Sequence, residues 1–147
     1  QDAIGKMAGV NPEITKDMLV ASRMFQVDWD IAMIGLSSGD PLMDRVGGST
    51  RGPSMGPSKN AVGQITKARN VTRVLGCLGS AAAIMVMHVL IDNLDISAWC
   101  RLHRERNPSR HRETGRLVAA LIHLVELMGV DTARDRARNA QPGDAAR

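Results

Sequence analysis

The chain has 147 residues, the usual size of one domain, and 44% of them are hydrophobic, which is enough for a core. Two cysteines make no disulfide framework, which argues against a disulfide-stapled secreted domain. The longest apolar run, 81–91, is shorter than the ~20 residues that cross a bilayer, which argues against a membrane protein. The composition therefore predicts a cytoplasmic protein. The net charge of +4 arises in residues 101–116, where six arginines outnumber two glutamates.

The predicted fold class is all-α. Aromatic residues make up only 2% of the chain, whereas methionine occurs nine times, and such a composition suits packed helices better than sheets. The first helix is predicted in an N-terminal segment, residues 1–34, with Asn11 as its cap and Pro12 as its first residue. Its apolar stripe has spacings of four, three and four: Ile14, Met18, Ala21 and Phe25.

Residues 35–58 are predicted to form a flexible linker. They contain six glycines and three prolines in the sequence GLSSGDPLMDRVGGSTRGPSMGPS. A structureless connection of this length is uncommon inside a compact domain, which favours an N-terminal helix that docks separately or serves a partner. The charged segment 131–147 is predicted to be a frayed tail, and the start on Gln1 predicts a processed protein or a piece of a larger one.

Residues 59–130 are predicted to form a helical bundle. Its first helix ends at Gly79, and Ser80 is the predicted cap of a second helix that extends to Ile91 and breaks at 93–95. The apolar positions of the first helix recur at helical spacing: Val62, Ile65, Ala68, Val71, Leu75 and Leu78.

The last two helices of the bundle are predicted on either side of Asn107. A short helix through Trp99 is capped by Asp95 or by Ser97, and a long helix follows with Asn107 as its cap and Pro108 as its first residue. The apolar stripe of the long helix runs towards Gly129: Leu117, Leu121, Leu124 and Met128, with Val118, Ile122 and Val125 beside it.

Residues 97–128 have the pattern of a helix-turn-helix, a short helix followed by an abrupt turn and a longer helix. The long helix is polar from Ser109 to Arg116 and apolar from Leu117. A recognition helix needs this division, because its first turns enter the major groove while the remainder anchors it to the core. Gly115 weakens the helix by about 1 kcal/mol relative to alanine, and close approach of another helix is its predicted purpose.

The local excess of arginine predicts an anionic partner, double-stranded DNA. Arg112 and Arg116 are predicted to contact guanine, and Glu113 either to accept a hydrogen bond from cytosine or to orient Arg116. The predicted base-reading residues share one face of the helix by their spacing: Ser109, Arg112, Glu113 and Arg116. The predicted phosphate-binding residues are Arg101, Arg104, Arg106, Arg110 and His111.

Two segments, ARNVTRVLGCLG (68–79) and GRLVAALIHLVELMG (115–129), resemble a family of small α-proteobacterial and prophage-type proteins that includes domains of the transcriptional activator of gene transfer agents. The segment ITKDMLVASRMFQVDWDIA (14–32) resembles the N-terminal helix of that family, which a variable glycine-rich linker follows. The resemblance implies a helix-turn-helix similar to sigma-factor region 4. It also implies a DNA-binding transcriptional regulator, an activator in a phage-related or gene-transfer-agent system. This chain departs from the family pattern by its many arginines around the turn, which favours contact with DNA and leaves RNA polymerase as a further partner open.

Two other interpretations of the basic segment stay open. In one, residues 101–116 are a solvated, arginine-rich corner of a helical bundle, since surface charge often serves solubility alone. In the other, the chain is a protein-interaction or assembly module, such as a phage packaging component, whose basic corner meets an acidic partner. Whether the DNA-binding chain forms a homo-oligomer is left open by the sequence. DNA binding differs from the second interpretation by its steep dependence on salt.

The sequence predicts neither an enzyme nor a cofactor. It has no glycine-rich phosphate loop after a strand, no HExxH and no nucleophile elbow. Three residues form a conceivable zinc cluster: Cys100, His103 and His111. Their spacing matches no closed zinc site and a fourth ligand is missing, so no metal is predicted. His88 lies within an apolar helix and is predicted to be a partly buried, hydrogen-bonded histidine.

Overall fold

The structure, a computed structural model, describes residues 2–37 and 59–130. Every regular element in these ranges is helical, which confirms the predicted all-α class. Six α-helices follow in chain order: α1 (Ala3–Val10), α2 (Lys16–Ser37), α3 (Lys59–Leu78), α4 (Ser80–Val86), α5 (Ile96–Leu102) and α6 (Arg110–Leu127). The predicted tail 131–147 lies outside the described residues, as does the predicted linker apart from 35–37, which belong to α2.

Helix α1 was not predicted, because its stability comes from remote contacts rather than from a local pattern. Asp2 caps it by accepting a hydrogen bond from the backbone N–H of Gly5 at 3.2 Å. The backbone N–H of Ala3 donates to Oδ1 of Asn93 at 2.7 Å, and Ile4 is fully buried. These contacts hold a helix of eight residues that would be marginal alone.

The predicted start of α2 is wrong by one turn. Asn11 ends α1, and its Oδ1 accepts a hydrogen bond from the backbone N–H of Glu13 at 2.9 Å, a turn that asparagine favours. The cap of α2 is Thr15, whose Oγ1 accepts from the backbone N–H of Met18 at 3.2 Å. Asparagine and threonine both cap helices, so composition alone does not choose between them.

Helix α6 is the centre of the bundle, since it packs against α2, α3, α4 and α5. Helix α2 packs against α3 and α6 and contributes Met18, Ala21 and Phe25 to the core, which differs from the expectation of a separately docked helix. Ile14, the first residue of the predicted stripe, joins the same core from just before the helix. The largest fully buried apolar side chains come from five of the α-helices and from the π-helical turn Met87–Ile91: Ile4, Phe25, Val74, Val86, Val89, Leu117, Leu121 and Leu124. Asp28 of α2 is buried, and it accepts a hydrogen bond from Asn70 at 2.7 Å and pairs with Lys67 at 3.1 Å, which ties α2 to α3.

Gly79 separates α3 from α4, as predicted, with a φ of 87° that favours glycine. The predicted cap Ser80 is instead the first residue of α4, and Gly79 holds the capping position without a side chain. Helix α4 continues into a π-helical turn, Met87–Ile91, which ends before Asn93 and its left-handed backbone (φ 59°). In the described part of the chain, no helix combines the length and the hydrophobicity that a membrane span needs.

Candidate functional site

The candidate site is built on α5, the turn after it and α6. Asp95 caps α5 by accepting a hydrogen bond from the backbone N–H of Ala98 at 2.8 Å, which selects Asp95 over Ser97 as the cap. Helix α5 places Trp99 in the core and ends at Leu102. Because Trp99 anchors α5 in the core, the basic turn that follows α5 has a defined position on the bundle.

The turn between α5 and α6 is a 3₁₀ turn, Arg104–Arg106, followed by a reversal of the chain at Asn107. Asn107 adopts the left-handed conformation (φ 47°), which asparagine tolerates better than most residues. It is therefore not the cap of α6, and Pro108 is not the first helical residue. Ser109 caps α6 instead, with its Oγ 3.4 Å from the backbone N–H of Arg112. The helix starts two residues later than predicted.

Glu113 is the unexpected feature of the site, because it is a carboxylate with only 3% of its surface exposed. Its Oε2 accepts a hydrogen bond from Nε1 of Trp99 at 3.2 Å. Its Oε1 lies 3.4 Å from Nη1 of Arg116 and 3.6 Å from Nε of Arg112. A buried carboxylate needs such partners to offset its lost hydration. Glu113 thus joins α5 to α6 and holds two exposed arginines at once.

This burial separates the two predicted roles of Glu113. A direct bond to cytosine is incompatible with a carboxylate that is enclosed and already bonded on both oxygens, whereas the predicted orientation of Arg116 matches the observed contact. Glu113 begins the buried stripe that continues through Leu117, Leu121 and Leu124. Of the four predicted base-reading residues, Glu113 therefore faces the core, whereas Ser109, Arg112 and Arg116 are exposed. The buried Trp99 was the signal for this position, since its N–H needs an acceptor.

Two histidines pack on Trp99. The ring of His88 meets the indole edge-on with centroids 5.1 Å apart, and the ring of His103 lies tilted against it at 4.1 Å. Nε2 of His88 lies 3.1 Å from the backbone oxygen of Asp95, which confirms the predicted hydrogen bond, and the side chain is buried more completely than predicted. Nε2 of His103 is also buried and has no hydrogen-bond partner in the described ranges.

The conceivable zinc cluster is not brought together. His111 is exposed at the start of α6, whereas His103 packs against Trp99. Among the residues that the structure describes, no three histidine, cysteine or carboxylate side chains lie close enough to hold a metal ion.

The arginines of the basic segment divide into three groups. Arg112 and Arg116 flank the buried Glu113. Arg101 and Arg110 line one groove, a cavity of 570 Å³ that also receives Lys6 of α1. The remaining predicted phosphate ligands, on the turn and on the first turn of α6, are also exposed: Arg104, Arg106 and His111. Sequence reasoning missed Lys6, because α1 was not predicted.

Comparison with protein-family models, with curated proteins and with solved structures finds no match.

Proposed function

We propose that the chain binds double-stranded DNA through α5, the turn and the start of α6, and that these elements act as a helix-turn-helix similar to sigma-factor region 4. The observation that carries the proposal is the division of α6. Leu117, Leu121 and Leu124 are fully buried, whereas the arginine heads of the first two turns are exposed. One helix thus combines an anchored half with a cationic half that is free to enter a groove.

Phosphate contacts fit the turn and the first turn of α6. Arg104 and Arg106 are exposed on the 3₁₀ turn, and His111 is exposed beside them in sequence. The N-terminal end of α6 adds free backbone N–H groups and the positive end of the helix dipole, which favour phosphate. Together they provide a cationic edge that can follow a sugar–phosphate backbone.

Base contacts fit Arg112 and Arg116. Glu113 holds both guanidinium groups by one oxygen, so less side-chain entropy is lost when they bind. Gly115 lies between them on the exposed face, and a Cβ placed there would meet no atom within 4 Å. The predicted approach of another helix of this chain is therefore wrong in the described residues. The missing side chain supports the proposal, because it lets the helix backbone approach the floor of a groove.

The role in transcription is carried by the resemblance of residues 68–79 and 115–129 to the domains of gene-transfer-agent activators. It supports a transcriptional activator of a phage-related or gene-transfer-agent system, with RNA polymerase as a second partner. The turn between α5 and α6 carries more arginines than the pattern of that family, and this excess supports DNA as the primary ligand.

The test is a binding experiment with mixed genomic DNA fragments at several salt concentrations, followed by sequencing of the bound pool. The logarithm of the binding constant should fall by about 0.9 per neutralised phosphate for each unit of the logarithm of the salt concentration. The variant Arg104→Ala with Arg106→Ala should flatten this slope by roughly two units. Arg69→Ala, an exposed arginine of α3, is the matched control and should leave the slope unchanged. Salt-independent binding, or equal slopes in all three proteins, contradicts the proposal.

A further inference from the structure

The groove beside the α5–α6 unit has properties that DNA binding does not use. It lies between α1, the segment 93–98 and the start of α6, and its volume is 570 Å³. That is the volume of a site for a few side chains, not for a duplex. Six of its lining residues matter here: Lys6, Met7, Val10, Leu94, Arg101 and Arg110.

Three cations from three helices surround the groove. Lys6 belongs to α1, Arg101 to α5 and Arg110 to α6, and all three are exposed. Across residues 2–37 and 59–130, none of them lies within ion-pair distance of a carboxylate. Asp95 also lines the groove, but its Oδ1 is occupied by the cap of α5. The lining therefore carries three cations against one carboxylate, and the groove has a net positive charge.

The same groove also exposes apolar surface. Val10 is 84% exposed at the end of α1, Leu94 is 42% exposed in the segment 93–98, and Met7 of α1 is half-buried. A phosphate backbone would form ion pairs with the cations but would leave these apolar side chains exposed to water. A ligand that matches both features has apolar side chains next to carboxylates.

The wall that carries Lys6 is held in place, so the groove is formed before any ligand arrives. The Asp2 carboxylate, which caps α1, forms an ion pair with Arg23 of α2, and the backbone N–H of Ala3 donates to Asn93 at 2.7 Å. A preformed groove binds a segment without an ordering cost of its own.

We propose that this groove binds an acidic amphipathic segment of a partner protein. Apolar side chains of the segment occupy the space between Val10 and Leu94, and its carboxylates face Lys6, Arg101 and Arg110. The proposal goes beyond DNA binding, since it assigns a second surface to another class of partner. Arg101 and Arg110 are also predicted phosphate ligands, so Lys6, which lies outside the α5–α6 unit, separates the two activities.

The experiment selects binders of the whole chain from a random library of 16-residue peptides displayed on phage. Enriched peptides should combine Asp or Glu with large apolar residues at helical spacing. Synthetic copies should bind Lys6→Glu and Leu94→Asp about tenfold or more weakly than the parent. Lys16→Glu and Ile84→Asp change exposed residues of α2 and α4 in the same way and should bind like the parent.

Four outcomes of the peptide and sedimentation experiments overturn the proposal. They are a library without enrichment above background, enriched peptides without acidic residues, equal binding by Lys6→Glu and Lys16→Glu, and a parent whose mass doubles in sedimentation unless Val10 is changed to Asp. A Lys6→Glu variant that loses duplex DNA as strongly as peptide identifies the groove as a phosphate site, which also overturns it. Failure of DNA binding in the parent would leave the peptide result standing, because the two assays are separate.

Discussion

The basic segment holds two pairs of arginines that composition alone treats as equal. Arg112 and Arg116 share the buried Glu113, at 3.6 and 3.4 Å, whereas Arg101 and Arg110 line a groove and have no carboxylate partner in the part of the chain that the structure describes. The Glu113 carboxylate fixes the orientation of the first pair. The charge of the second pair is not offset by an ion pair within the described residues and can attract an anionic ligand.

This difference teaches that the carboxylates of a basic segment decide what its arginines can do. A carboxylate beneath an arginine lowers the net charge of the surface but restricts the guanidinium, which favours bidentate recognition of a base edge. An arginine without a carboxylate contributes full charge with little direction, which suits a phosphate backbone or an acidic side chain. The predictions below test this division.

The largest effect is expected from the anchor that both pairs share. Leu121 is fully buried on α6, so Leu121→Ala should lower the free energy of unfolding by about 2–5 kcal/mol, as large-to-small core changes do. The neighbouring Ile122 is 50% exposed, and Ile122→Ala should cost much less. Urea denaturation of both variants measures the contrast, and equal losses would show that α6 is not anchored by the face described.

A smaller loss of stability is expected when the oriented pair loses its carboxylate. Glu113→Ala leaves Nε1 of the buried Trp99 without its acceptor, which should cost about 1–3 kcal/mol. Glu105→Ala removes an exposed glutamate of the 3₁₀ turn and should stay within about 0.5 kcal/mol of the parent. Thermal unfolding distinguishes the two. A Glu113→Ala protein as stable as Glu105→Ala would mean that the carboxylate does not join α5 to α6.

The two arginine pairs should also differ in how they affect DNA. Arg112→Ala and Arg116→Ala should each lose about 1–3 kcal/mol of discrimination at one or two base pairs. Arg110→Ala should weaken all sequences by a similar factor and reduce the salt slope by roughly one unit. Selection from a random duplex library, combined with salt titration, measures both quantities. The same selected motif for the parent and for the Arg112 and Arg116 variants would show that these residues read no sequence.

The features that the sequence predicted well are those that depend on local spacing. The buried members of the two predicted stripes share one face of their helix, as helical periodicity requires: Met18, Ala21 and Phe25 in α2, and Leu117, Leu121 and Leu124 in α6. Helix α1 escaped prediction because its first N–H is bonded to Asn93, 90 residues away. The burial of Glu113 escaped because it depends on Trp99 in another helix. Hydrogen bonds between polar residues of different helices leave no periodic pattern in the sequence. The difference between the two arginine pairs depends on such bonds, so the sequence did not predict it.

The smallest effect is expected at the wall of the groove. The ion pair with Arg23 and a hydrogen bond from Gln26 hold the pKa of the Asp2 carboxyl well below its usual value of 3.8. The folded protein therefore binds this proton less readily than the unfolded chain does, so the contribution is complete above about pH 3.8 and is lost as the pH falls further. Because the pair is partly exposed and screened, it should contribute at most about 1 kcal/mol.

Asp2→Asn measures this contribution against Asp30→Asn, which changes an exposed aspartate of α2. Urea denaturation at about pH 6 should show Asp2→Asn less stable than the parent and Asp30→Asn equal to it. As the pH falls below the ordinary carboxyl pKa, the parent should lose its advantage over Asp2→Asn, since the unfolded chain then binds a proton that the native Asp2 carboxylate does not bind. An advantage that stays constant down to about pH 2 would show that α1 is held by Asn93 and the buried Ile4 rather than by the charge of Asp2. Helix α1, which carries Lys6, would then stay in place at low pH. Any weakening of peptide binding at that pH would have to come from protonation of the carboxylates of the peptide.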